Sequence, residues 1–225
     1  MDLSLERNLL SGSLPESIGE LSKLTNLDVG ENSLTGSIPE SYGNLKNIWF
    51  MLIYSNPITG TIPAKIAKLP KIIAFGFWDN LLTGTLPEFA AQSSLTFVSS
   101  AWTNITGTVP ESLYELPNLR QLYLLDAKFT GTIATEIGQL TGLHVLSMRS
   151  NEFVGTIPTE IGKLTSLTNL ELASNKLTGT VPEELQELDR LTALRIYENE
   201  LVGEIPQGIS ELPILGKNSE CVSFE

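Results

Sequence analysis

One short phrase recurs along the whole chain and constrains its fold more than any other feature of the sequence. Regular copies read NSLTGSIP, NEFVGTIP and NKLTGTVP, and each contains one glycine. Successive glycines are 24 residues apart, except for a single spacing of 23. The nine glycines are Gly12, Gly36, Gly60, Gly84, Gly107, Gly131, Gly155, Gly179 and Gly203. A fixed period of this length is typical of a solenoid, in which each repeat contacts only its neighbours.

Each repeat divides into a strand, a turn and a back segment. In the unit that contains Gly155, LTNLELASN alternates apolar and polar residues, which predicts a strand with Leu170 and Leu172 pointing inward. Asn175 follows at the turn, where its amide can bond backbone groups that the coil leaves unpaired. Pro158 fixes the chain after the glycine segment, and TEIGKL predicts a short helical turn. Because no repeat can bury its apolar side alone, stacked repeats form one core below a parallel sheet.

The consensus LxxLxxLxLxxNxLxGxIPxxIGxL, as these repeats spell it, resembles the plant-type, extracytoplasmic class of leucine-rich-repeat proteins. That class includes ectodomains of receptor kinases, receptor-like proteins and polygalacturonase-inhibiting proteins. The resemblance covers residues 3–215. It implies an α/β solenoid, a right-handed superhelix with a parallel β-sheet on the concave side and short helical or 3₁₀ turns on the convex side. It also implies an extracellular or cell-surface location, while a cytoplasmic one stays open.

We predict a single leucine-rich-repeat domain over residues 1–225, built from nine repeats of 24 residues. The chain begins directly with a strand, without an N-terminal cap, and residues 204–225 form a partial last repeat or C-terminal segment. Members of the family usually carry caps with paired cysteines, whereas Cys221 is the only cysteine. We therefore interpret the chain as a fragment, and a naturally short, uncapped variant is the alternative.

Composition and charge exclude several function classes. The net charge of −12 and the pI of about 4.6 disfavour nucleic acid and anionic membranes, and favour neutral or basic partners. No apolar run is long enough for a membrane span. His144 is the only histidine, so no histidine-based metal cluster or metal-bridged triad can form. We predict no enzymatic activity, no metal and no cofactor.

Large side chains collect at outward-facing strand positions of the third to sixth repeats. Such positions vary between repeats, and function in a solenoid is expected on them. The same positions of the eighth repeat are polar, and two acidic residues border the aromatic set. The predicted ligand-binding residues on the concave face are Phe50, Leu52, Tyr54, Trp78, Asp79, Phe97, Trp102, Tyr123, Leu125 and Asp126. Six half-exposed rings would present on the order of 500 Å², which is large for a monomer.

These residues predict a non-catalytic recognition module that binds a protein, a peptide or a carbohydrate, or a second copy of the chain. Asp79 and Asp126 would select basic or hydroxyl-bearing groups. The structural alternative is that the rings pack on one another across strands and only stabilise irregular repeats. Asn104 begins the tripeptide NIT, so it is a candidate glycosylation site beside Trp102.

The Thr-Gly-Thr segments suggest a different function. Residues i and i+2 of an extended strand share a face, so these segments predict a ladder of threonine pairs that could order water and bind ice. Threonine and serine around this glycine are also common in the family, which makes scaffold the competing interpretation. The pairs are Thr59/Thr61, Thr83/Thr85, Thr106/Thr108, Thr130/Thr132 and Thr178/Thr180.

The central repeats also depart from the consensus inside the scaffold. Thr103 and Ala127 replace the turn asparagine, Ser100 takes an inward position that is normally apolar, and Ala134 replaces the proline. Because Ala127 cannot make the hydrogen bonds of an asparagine, we expect water or a shifted backbone to serve the orphaned groups. The substitutions predict either decay of the repeat or a local bend that shapes the aromatic face.

Overall fold

The computed structural model describes residues 1–91 and 94–210. Cys221 and most of the predicted C-terminal segment lie outside this part of the chain. Nine three-residue strands, one from each repeat, pair in sequence order into an all-parallel sheet, which we call the concave sheet. Its strands are Asp2–Ser4, Asn26–Asp28, Phe50–Leu52, Ala74–Gly76, Phe97–Ser99, Gln121–Tyr123, Val145–Ser147, Asn169–Glu171 and Ala193–Arg195.

The glycine segments form further parallel strands, which we call the lateral sheet. Two strands pair near the N-terminus, five pair in the later repeats, and an isolated bridge joins Ser37 to Thr59. The two strands are Ser11–Ser13 and Ser33–Thr35, and the five are Thr106–Gly107, Lys128–Thr132, Glu152–Thr156, Lys176–Gly179 and Glu200–Leu201. All nine glycines of the phrase have positive φ, which explains why no other residue type stands there.

Short helices line the back of the solenoid, as the sequence predicts. Most begin directly after a proline in extended conformation, and Ala134 adopts nearly the same angles as Pro158, with φ of −70° in both. The loss of that proline therefore leaves the backbone unchanged. The 3₁₀ helices of the described residues are Glu16–Glu20, Glu40–Asn44, Ile66–Lys68, Thr135–Gln139, Thr159–Lys163 and Glu183–Glu187, and the α-helices are Glu111–Tyr114 and Gln207–Ser210.

One hydrophobic core runs through all the stacked repeats. Leu170 and Leu172, predicted to point inward, are fully buried, and so is Ile161 of the back segment. The predicted α/β solenoid with a parallel sheet and 3₁₀ turns is thus confirmed. None of the helices in residues 1–91 and 94–210 is long and apolar enough to cross a membrane.

The turn asparagine bonds buried backbone groups between repeats. Asn151 donates from Nδ2 to the carbonyl oxygens of Leu124, Met148 and Arg149 at 2.8, 3.0 and 3.0 Å. Its Oδ1 accepts the N–H of Phe129 at 3.0 Å. The same pattern recurs at the other turn asparagines of the interior repeats, so each one joins its own strand to the previous repeat.

The hydrogen bonds that Ala127 cannot make are supplied by Thr103, the equivalent residue of the preceding repeat. In the ladder's register, an asparagine at 127 would bond the carbonyl of Ser100 and the N–H of Ile105. The hydroxyl of Thr103 serves both groups, donating to the Ser100 carbonyl at 2.7 Å and accepting from Ile105 at 3.4 Å. A side chain, rather than water or a shifted backbone, therefore replaces the missing amide. The Ser100 hydroxyl is fully buried and has no partner within the described residues.

Candidate ligand-binding face

Four of the predicted aromatic residues form a continuous chain of rings across four successive strands. Tyr54 stacks on Trp78 with ring centroids 4.3 Å apart and an interplanar angle of 12°. Trp78 meets Phe97 edge-on at 5.9 Å, and Phe97 contacts Tyr123 at 5.8 Å. All four rings remain half-buried. The predicted proximity is therefore confirmed, and the rings both support one another and keep surface open to solvent.

Two glycines let the rings of Tyr54 and Trp78 lie flat on the sheet. A Cβ at Gly30 would fall 2.2 Å from ring atoms of Tyr54, and one at Gly76 would fall 2.6 Å from Cζ3 of Trp78. Leu52 also covers Gly76, since its Cδ2 would be 2.8 Å from that Cβ. Sequence reasoning placed both glycines at outward positions but missed that they form the floor beneath the rings.

Beside the ring chain lies an open pocket of about 380 Å³ in the concave sheet, which we call the apolar pocket. Aromatic rings form its walls, and small residues with Leu125 form its floor. Leu125, predicted to face outward, keeps only 6% of its surface exposed. Its lining residues are Trp78, Phe97, Ser99, Ala101, Trp102, Tyr123, Leu125, Ser147 and Glu171. Apolar walls and a few polar groups describe the usual composition of a ligand site.

Phe50 and Trp102 stand apart from the ring chain and are the most exposed of the six predicted rings. Their exposed fractions are 37% and 49%. Trp102 has φ of 51°, in the left-handed region that bulky residues rarely adopt. Its eight equivalents are all charged residues or serine, with φ between 47° and 57°. A left-handed residue of this kind costs roughly 1–2 kcal/mol. Since every repeat has one, the conformation belongs to the scaffold, and only the exposed indole is particular to this repeat.

The two predicted acidic selectors differ in their surroundings. Asp126 accepts a hydrogen bond from Nη2 of Arg149 at 3.2 Å, so its charge is already balanced within the protein. Asp79 is exposed. Sequence reasoning also missed Glu171 at the pocket, where it accepts from the Ser147 hydroxyl at 2.8 Å and pairs with Arg195. Arg149 and Glu171 come from later repeats, so only the stacking of repeats brings them to the site.

Burial raises the pKa of Tyr123, and the nearby Glu171 carboxylate raises that pKa further. Burial is also the main cause of the raised pKa of Tyr54, with Asp28 and Glu31 adding to it. Both phenols therefore stay neutral in the physiological range. They offer hydroxyl donors at the rim of an otherwise aromatic surface.

Asn104 lies at a second pocket of about 460 Å³, which we call the edge pocket. It is half-buried and lines the pocket together with Asp79, Leu81 and Trp102. Asn104 and Trp102 therefore lie close together, as predicted. Trp102 also lines the apolar pocket, so it borders both pockets. His144 is exposed and its Nδ1 lies 2.8 Å from the Gly142 carbonyl oxygen, at the solvated strand edge that the sequence predicts. Among the described residues, no group of side chains is suited to hold a metal ion.

The threonines of the lateral sheet form a regular exposed column. The methyl group of Thr61 would lie 2.7 Å from a Cβ at Gly84 of the next repeat, so the glycine leaves room for it. Three of the first threonines are used differently, since the hydroxyls of Thr59, Thr83 and Thr106 donate to the carbonyls of Gly36, Gly60 and Gly84. The second threonines, in contrast, are all exposed, and their hydroxyls make no hydrogen bond within the described part of the chain. They are Thr61, Thr85, Thr108, Thr132 and Thr180, and Thr156 occupies the same position in a repeat whose first residue is Val154.

Comparison with known proteins supports the fold and its class. The Leucine Rich Repeat family matches residues 23–45, 142–164 and 166–188. One similar structure is the ectodomain of the Arabidopsis thaliana receptor kinase GASSHO1/SCHENGEN3, in complex with CASPARIAN STRIP INTEGRITY FACTOR 2. It is 34% identical in sequence, with a TM-score of 0.93, and the match covers 96% of this chain and 26% of that one. The Arabidopsis receptor kinase HAESA, in complex with the peptide hormone IDA and the co-receptor SERK1, is 30% identical with a TM-score of 0.85, over 95% and 40%.

A plant ice-binding protein is also similar, at 25% identity and a TM-score of 0.77, over 92% of this chain and 67% of that one. A search of curated protein sequences found no match. The chain spans between about a quarter and two fifths of the two receptor structures. Three of its repeats thus match the Leucine Rich Repeat family, and its solenoid is similar to those of plant receptor-kinase ectodomains.

Proposed function

We propose that this chain is a non-catalytic recognition module that binds a protein, peptide or carbohydrate ligand on the concave face of its third to sixth repeats. The observation that carries the proposal is the apolar pocket, enclosed by the ring chain and by the exposed, left-handed Trp102. Buried aromatic anchors in such pockets dominate binding energy, because they desolvate large areas at little conformational cost. Phe50 and Leu52 extend this surface toward the second repeat.

The similar receptor ectodomains favour a peptide or protein among these ligands, because two of them are complexes with such partners. The same similarity favours a location outside the cell or at its surface. A second copy of the chain is the competing occupant of the aromatic face, and sedimentation equilibrium distinguishes the two. A glycan on Asn104 would narrow access to the edge pocket, and mass spectrometry of the secreted protein tests its presence.

Titration with candidate peptides and oligosaccharides, followed by tryptophan fluorescence, tests the proposal. The Trp49→Phe variant is the best reagent, since the remaining tryptophans, Trp78 and Trp102, both line the apolar pocket. We expect a saturable change in their emission with at least one ligand. A ligand that binds the protein without changing this emission would place recognition elsewhere on the molecule.

A second candidate function is binding to ice through the lateral sheet. The column of exposed second threonines favours it, because each methyl group is held against the next glycine and each hydroxyl is left free. The hydroxyls of first threonines such as Thr106 count against it, since the backbone already uses them. We expect Thr108→Tyr and Thr132→Tyr to abolish any thermal hysteresis, while Thr192→Tyr, an exposed threonine beside the concave sheet, keeps it. Absence of hysteresis in the unmodified protein at high concentration removes this function.

A further inference from the structure

A column of left-handed residues follows the edge of the concave sheet, one in each repeat directly before the turn position. Four of its members carry a carboxylate: Glu31, Asp79, Asp126 and Glu198. Charged groups at equivalent positions of stacked repeats lie next to one another along the same edge of the sheet. The partners of these carboxylates therefore show which charge is free to meet a ligand.

Three of the four carboxylates are bound inside the protein. Glu31 pairs with Arg7 at 3.1 Å, and Asp126 pairs with Arg149 at 3.2 Å. Glu198 accepts a hydrogen bond from the hydroxyl of Ser174. The Asp79 carboxylate has neither a hydrogen bond nor an ion pair within residues 1–91 and 94–210. It is the unbalanced negative charge of this column.

Asp79 and Trp102 occupy neighbouring rungs of the same edge. The Asp79 N–H donates to the Ala101 carbonyl at 2.9 Å, and the Asn80 N–H donates to the Trp102 carbonyl at 3.3 Å. Adjacent parallel strands lie about 4.8 Å apart, so the carboxylate and the indole border one space. That space is the edge pocket, and Leu81, half of whose surface is exposed, adds an apolar wall.

A free carboxylate, an exposed indole and an aliphatic wall together match a lysine or arginine side chain. Its methylene stem covers apolar surface while the cation lies near the indole face and the carboxylate. A neutral sugar ring could stack on Trp102 and donate a hydroxyl to Asp79, but it would not neutralise the charge of that carboxylate. The net charge of −12 attracts a basic partner from solution as well.

We infer that the face recognises a peptide that carries a basic residue next to, or one residue away from, a bulky apolar residue. The apolar side chain enters the apolar pocket, the basic one enters the edge pocket, and Trp102 contacts both. This inference rests on the proposed function and names its ligand class. Neighbouring peptide side chains can enter both pockets because the two pockets share one lining residue.

A peptide array on the intact chain tests the inference. Acetylated, amidated glycine–serine peptides carry one basic and one bulky apolar residue at adjacent or next-but-one positions. The strongest binder is remade with acetyl-lysine or glutamate in place of its basic residue. We expect acetyl-lysine to weaken binding about two- to fivefold and glutamate to weaken it more. Added salt should reduce the difference between lysine and acetyl-lysine, since the carboxylate is exposed.

The variant Asp79→Asn should lose most of the preference for lysine over acetyl-lysine, keeping only the part that comes from the indole face of Trp102. Glu198→Gln is the matched control, because it alters the same position of another repeat where the carboxylate is already bonded, and it should keep the preference for lysine. Equal binding of lysine, acetyl-lysine and glutamate peptides to the unmodified protein overturns this inference and leaves concave-face recognition standing. Binding of oligosaccharides but of no peptide does the same. Binding of neither class overturns both proposals.

Discussion

The floor of the ring chain offers the sharpest structural test, through the substitution Gly76→Ala. The added Cβ would lie 2.6 Å from Cζ3 of Trp78, whereas carbon atoms in contact prefer about 3.5–4.0 Å. The indole must therefore move by about 1 Å away from the sheet. It is stacked on Tyr54 at 4.3 Å, so this movement also disturbs the neighbouring ring.

Two opposing effects set the size of the stability change. Overpacking of this kind costs about 1–3 kcal/mol. Replacing a glycine in a strand by alanine returns about 0.5–1 kcal/mol, since the unfolded chain loses conformational freedom. The net expectation is a loss of about 0.5–2 kcal/mol in the free energy of unfolding. Trp78→Ala removes the ring and leaves only the flexible end of Leu52 near the added Cβ, so in that background Gly76→Ala should be less destabilising.

Urea denaturation of the wild type, both single variants and the double variant measures this coupling, and near-UV circular dichroism reports the loss of the Tyr54–Trp78 stack. Ser99→Ala is the control, because it places an alanine in the same row of the next strand without adding volume. If Gly76→Ala changes the unfolding free energy equally with and without Trp78, the indole does not lie over Gly76 and the reasoning is refuted.

Three further outcomes follow from the scaffold. Thr103→Ala should cost about 1–3 kcal/mol in urea denaturation because two buried backbone groups lose their partner, and Ala127→Asn should recover most of it. Burial, and to a lesser extent neighbouring carboxylates, raise the pKa of Asp28. Its contribution to stability is therefore full below the pKa of the unfolded state and is lost as the pH rises. Asp28→Asn should raise the melting temperature slightly at pH 7 but not near pH 3. Burial raises the pKa of Tyr114 to about 12, so stability should fall above about pH 10, and less in Tyr114→Phe.

The repeat period was sufficient to predict the fold, because each repeat places the same residue types at the same points of the coil. It also placed the four rings of the ring chain on one face of the concave sheet, since a strand has a period of two. Tyr54, Trp78, Phe97 and Tyr123 met as expected, from alternation and stacking alone.

The sequence could not show which residues the long side chains contact in the folded protein. Leu125 occupies an outward position but is covered by the aromatic residues around it. Asp126 appeared free, yet it pairs with Arg149, which stands 23 residues later. The left-handed backbone of Trp102 is hidden in the sequence, because that position holds serine or a charged residue in the other repeats and never glycine. A comparison of this column across repeats would have shown that tryptophan is its exception.

The affinity of one ligand for three single tryptophan variants shows whether the protein binds its ligand at the apolar pocket of the concave face. Trp78 and Trp102 line the apolar pocket, whereas Trp49 is about as exposed as Trp102 but lies at a strand entrance outside the pocket. We expect Trp78→Ala and Trp102→Ala each to weaken binding by about tenfold or more, as hot-spot aromatic residues do, while Trp49→Ala leaves the affinity unchanged. Folded Trp78→Ala and Trp102→Ala proteins that bind as tightly as the wild type would contradict it.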